Sequence, residues 1–196
     1  MAQLMPEVLD WIDNRSIGQA EAGVLDYILK QPSVRDAFRH IARSQECDAL
    51  IDKLLVSLTH ASNKSNLSSK EVIVRFIAHI CFCKSEVLSS DILAKTLRTV
   101  RQMILKPEKA NENEKQRQQE QHNLTKAALN CITNIYNRES TSGSGQSSSL
   151  QASVKTESEM TFAKIKDLFM FYMRNIRFTY RSTRSIIMLT TVIRAL

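Results

Sequence analysis

Glycine and proline are the scarce residues of this chain, with 4 and 3 in 196 residues. Sheets with many tight turns need more of both, and phosphate-cradling loops need more glycine. Aromatic residues make up only 6% of the chain and include a single tryptophan. The longest apolar run, Ile186 to Ile193, falls well short of the ~20 residues that a membrane-crossing helix needs. Arg184 and Arg194 bracket it. The sequence also lacks a Gly-rich nucleophile elbow, a Walker-type loop, an H-E-x-x-H helix and a kinase signature, so the reading is of a protein that is not an enzyme.

What is present favours helices. Hydrophobic residues form 43% of the chain and charged residues 24%, enough for a globular core. Leu, Ile, Ala, Lys, Glu and Gln are all good helix formers. The spacing predicts helices from Pro6 to about Asn14, Gly18 to Lys30, Ser33 to Ser44, Gln45 to Ala61, Ser68 or Ser69 to Cys83, and Ser89 to Leu105, where Pro107 ends the last. In the fourth, Cys47, Leu50, Ile51, Leu54, Leu55 and Leu58 keep an unbroken three-and-four spacing. The fifth is apolar nearly all round, from Val72 to Phe82, and so is expected to lie between several neighbours. A further helix runs from Leu124 to about Asn137, its stripe formed by Leu124, Ala127, Ala128, Cys131, Ile132 and Ile135, with Asn130 and Asn134 beside the seam. Residues 107–121 are a polar insert that reads as an exposed helical extension or a disordered loop.

These segments predict an all-α fold of stacked helical hairpins, as in an α-solenoid fragment or a helical bundle. The expected organisation is a repeat-like domain over residues 1–137, a flexible Ser/Gly linker over 138–160, and a basic helical segment over 161–196. Two helix pairs, Gln45 to Cys83 and Ser89 to Asn137, read as successive units. Their period of about 40 residues suits HEAT and armadillo repeats. Leu50-Ile-Asp-Lys-Leu-Leu55 resembles the leucine-rich start of an armadillo long helix, and Ala127-Ala-Leu-Asn-Cys-Ile-Thr-Asn-Ile135 resembles its end. The armadillo turn glycine is missing, so HEAT-like pairs fit equally. The resemblance implies a non-catalytic adaptor or scaffold that binds partner proteins along a helical face.

Charge is unevenly spread. Residues 164–196 carry +6 of the net charge of +7. There, aromatic residues interleave with Arg174, Arg177, Tyr180, Arg181 and Arg184, which are the candidate binding residues. Such a segment can hold a phosphate backbone and stack on bases. It also suits an anionic membrane surface, or it docks on the stack through Leu168, Phe169, Tyr172, Ile176 and Tyr180 with its arginines solvated. Nucleic-acid or anionic-membrane binding is therefore the alternative to the adaptor reading.

Four cysteines, Cys47, Cys81, Cys83 and Cys131, lie inside apolar helical patterns, and no signal-peptide succession opens the chain. Both features suit a reduced compartment, the nucleus and/or cytoplasm. Cys81-Phe-Cys83 with His79 has the wrong spacing for a zinc knuckle, and positions 81 and 83 point about 160° apart on a helix. No metal or cofactor is expected, and His40, His60, His79 and His122 fall on separate helices. Lys155 is a modification candidate: Val154-Lys155-Thr156-Glu157 fits the apolar-Lys-x-acid consensus for SUMO attachment, in a segment expected to be extended and accessible.

Overall fold

A computed structural model describes residues 19–31, 47–59, 67–83, 88–105, 115–139 and 148–179. Among them there are six α-helices and no strand, which makes the fold all-α. They are α1 Gln19–Lys30, α2 Cys47–Thr59, α3 Leu67–Cys83, α4 Ser90–Gln102, α5 Lys115–Glu139 and α6 Ser148–Thr179. The helices expected at 6–14 and 33–44 lie outside the described residues. Residues 115–121 of the polar insert take the helical alternative as the first turns of α5. There Gln116 donates to Glu120 at 3.3 Å and Gln119 to Asn123 at 2.6 Å, the one-turn spacing that supports an exposed helix end.

The helices lie in two rows. One row is α1, α3, α5, and the other is α2, α4, α6, with each helix packed on the next in its row. Contacts of α2 with α3 and of α4 with α5 join the rows. The most extensive packing is between α3 and α5. The reason is legible in α3, where Val72, Ile73, Val74, Phe76, Ile77, Ala78, Ile80 and Cys81 are all buried. An apolar surface that goes nearly all round needs partners on several sides, and α1, α2 and α5 supply them. Phe82 departs from that pattern, being 63% exposed. In α5 the stripe from Leu124 to Ile135 is buried as expected, and Leu129, outside the stripe, is buried too. Its position widens the covered arc, because α5 meets both α3 and α4.

Polar contacts lock each neighbour in register. Asn134 of α5 donates from Nδ2 to the Ala78 carbonyl of α3 at 3.0 Å, while Asn130 is exposed. The Thr125 hydroxyl accepts from the Leu105 amide at 3.1 Å and donates to the Leu105 carbonyl at 3.3 Å, which fastens the chain leaving α4 onto α5. Asp48 of α2 accepts from the Ser89 amide at 3.3 Å, and Asp52 pairs with Lys95 of α4. Asp26 of α1 accepts from Arg75 of α3 at 2.7 Å.

Helix α6 corrects one expectation. Residues 148–160 were expected to belong to a flexible linker, yet they form the first turns of this helix. The Ser/Gly run disguises the change. No glycine or proline occurs from Ser148 to Thr179, and small polar residues serve as the solvent face of a helix.

Candidate interaction surface

Helix α6 docks on α4 through one register. Val154, Glu157, Thr161, Ile165 and Leu168 succeed one another at three- and four-residue spacing. Glu157, Thr161, Ile165 and Leu168 are buried and Val154 partly so. A carboxylate in a core-facing position needs partners, since a buried unpaired charge is costly. Glu157 has two, both from α4. Arg98 Nε donates to Oε1 at 2.8 Å. Arg101 Nη1 lies 2.9 Å from Oε2, close enough for an ion pair but not aligned as a hydrogen bond. Arg101 is itself largely buried, whereas Arg98 is mostly solvated, so solvent screens the Arg98 contact more than the Arg101 contact. Thr161 donates to the Glu157 carbonyl at 2.6 Å, and Tyr136 of α5 donates to the Ser158 carbonyl at 3.5 Å.

The opposite face of α6 carries apolar side chains into solvent: Phe162 is 48% exposed, Met170 41% and Met173 43%. Lys155, Lys166 and Arg174 are also exposed. By helical geometry Lys155, Phe162, Lys166 and Met173 fall within about 40° of one another, with Met170 alongside. Exposed Glu159 falls in the same arc, so this is a mixed apolar and charged stripe on a helix whose other face is fixed to the stack. Met160, 49% exposed, stands on a different side of α6.

Of the five candidate binding residues, only Arg174 has a described side chain, and it is exposed on α6. Arg177 lies in the last turns of the same helix, with its side chain outside the described part. Tyr180, Arg181 and Arg184 lie outside the described residues. The docking positions Leu168 and Phe169 do pack on the core, fully and partly. Lys155 is exposed, but on a helix and not on an extended linker. The sequence reading missed the clamp. Its signal was present: Glu157 continues the Val154–Thr161–Ile165–Leu168 register, and a charge in a core register announces a buried ion pair.

The cysteines form no open site. None of the four forms a disulfide; Cys47, Cys81 and Cys131 are buried and Cys83 is half-buried. Cys81 of α3 and Cys131 of α5 meet across the seam. Thiol-to-thiol contact with Cys81, together with burial, pushes the Cys131 thiol well above its ordinary range. His79 is exposed while Cys81 is buried, so the two face apart. Among the described residues no group of three or more His, Cys, Asp or Glu side chains is placed to hold a metal ion. Of the other histidines, His122 is half-buried in α5, and His40 and His60 lie outside the described residues. No described helix is long and apolar enough to cross a membrane, and the Ile186–Ile193 run lies outside the described residues. No family model, curated protein or solved structure matches the chain.

Proposed function

We propose that this chain is a non-catalytic adaptor or scaffold of the nucleus or cytoplasm, a HEAT/armadillo-like stack that offers the outer face of α6 to partner proteins. The observation that carries the reading is the stripe of Phe162, Met170 and Met173 beside Lys166 and Arg174. Apolar side chains held half-exposed on a docked helix lose little conformational freedom on binding, because the helix is already in place. The two-row arrangement supports the same reading, since stacked hairpins present long, continuous helical faces.

The test is recovery of partner proteins from cell extract by the immobilised chain, compared with a Phe162→Glu/Met173→Glu variant. The reading expects recovery to fall about tenfold or more in the variant, the loss of one or two interface anchors. It also expects recovery to survive nuclease treatment and moderate salt. Undiminished recovery by the variant would sink the proposal. Recovery that vanishes with nuclease and weakens steeply with salt would transfer the activity to nucleic-acid binding through the basic segment.

A further inference from the structure

We propose that Lys155 is a conditional attachment site for a small ubiquitin-like modifier of the SUMO type, hidden by the Glu157 clamp and reached only when the first turns of α6 leave α4. The motif Val154-Lys155-Thr156-Glu157 meets the apolar-Lys-x-acid requirement, and the Lys155 ammonium is exposed on α6. Its two flanking determinants are occupied by the fold. Val154 packs against the core, and Glu157 is buried with both carboxylate oxygens facing α4 arginines.

Geometry compounds the burial. Recognition of such a motif grips an extended chain. Extended backbone places residues two apart on the same face, so Lys155 and Glu157 would be read together. On a helix two residues apart means about 160° of rotation, so the amine and the acid point in nearly opposite directions. An enzyme surface that reaches Lys155 in this fold finds neither Val154 nor Glu157 beside it. Opening the first turns of α6 frees Glu157 from Arg98 and Arg101 and lets the chain extend, meeting both requirements at once.

The transfer itself is an aminolysis. The neutral Lys155 amine attacks the thioester carbonyl that joins the modifier's terminal glycine to a cysteine of the conjugating enzyme. The C–N amide bond forms and the C–S bond breaks. The thiolate leaves and takes up the proton that the amine gives up. The thioester is the only co-reactant.

The rate then follows the fraction of molecules in which α6 is open. Minor states of this kind are typically populated at roughly 0.1–10%. The experiment uses the purified full chain, the SUMO-activating and SUMO-conjugating enzymes, SUMO and ATP, with Lys155 occupancy read by mass spectrometry. A synthetic peptide of residues 150–160 and a Lys155→Arg chain are the controls. The peptide is expected to be modified, the folded chain to react on the order of tenfold or more slowly, and Arg98→Ala/Arg101→Ala to recover most of the difference. An unmodified peptide, a folded chain as fast as the peptide, or an unchanged rate in the double variant would each overturn the proposal. If the double variant does not fold, wild-type chain in sub-denaturing urea serves instead. The rate is expected to rise as amides 148–160 lose hydrogen-exchange protection, and a flat rate while they exchange overturns the gate.

Discussion

Thr125 shows how one side chain can decide the course of the backbone. Once α4 has ended, the amide and carbonyl of Leu105 have no helical partner, and the Thr125 hydroxyl satisfies both. Thr125 is 1% exposed, so the hydroxyl itself is shielded from solvent. Thr125→Val keeps the shape and removes the oxygen. The expected cost is about 1–3 kcal/mol, the desolvation of the groups it leaves unpaired. Thr125→Ser keeps the oxygen and should lose clearly less. Urea unfolding of the three proteins checks this, and a valine variant as stable as the serine variant would remove the hydroxyl from the account. Asn134 makes the comparable single bond to the Ala78 carbonyl. The sequence placed Asn130 and Asn134 beside the seam but could not choose between them, because a difference of four residues keeps both on nearly the same side of the helix. Only the position of the Ala78 carbonyl on α3 separates the bonded residue from the exposed one.

Between elements, the joint of α1 and α3 is an ionic cluster whose two carboxylates respond to acid in opposite ways. The hydrogen bond from Lys30, with Arg75 acting in the same sense, holds the Asp26 carboxyl below its usual range, although burial opposes the shift. Burial pushes the Glu71 carboxyl up, and the charge of Asp26 adds to it, against the pull of Arg75. As pH falls from neutral, folded Glu71 takes a proton before its unfolded counterpart does, near 4.3, so stability rises. Below about 3.9 the unfolded chain protonates Asp26 while the folded chain still holds it charged, so stability falls. The joint is therefore expected to be most stable in mildly acid solution. Thermal unfolding between about pH 3 and 7 tests the sign: Glu71→Gln should flatten the rise and Asp26→Asn should flatten the fall. A rise that persists in Glu71→Gln belongs to other groups. The elements themselves were largely legible, since α2 through α5 carry long apolar registers that buried Thr96, Thr99 and Thr125 interrupt without charge. The start of α6 was not. A carboxylate and a threonine occupy its core positions at Glu157 and Thr161, and a code of apolar spacing cannot see a face that becomes acceptable only when Arg98 and Arg101 arrive from 56 to 59 residues away.

On the scale of the whole molecule, the seam of α3 and α5 is the centre, and the proposed function depends on it. The α6 stripe is a defined surface only while α6 stays on α4 and α4 stays on α5. Cys81 and Cys131 report on that seam from within. They face each other from the two helices, so α5 cannot leave α3 without exposing both, and α3 cannot leave α5 without doing the same. In the native protein burial shields both from reagent, and the Cys131 thiol is raised as well. Cys83, near the end of α3, is only half-buried. A thiol-alkylating reagent is therefore expected to label Cys83 first in native conditions. Cys81 and Cys131 should follow together, at one rate that rises with urea in step with global unfolding. Mass spectrometry of the labelled peptides reads the order directly. If Cys131 labels well before global unfolding, α5 opens as a local unit. The two rows then would not form a single cooperative support, and a preformed binding face on α6 would lose its physical basis.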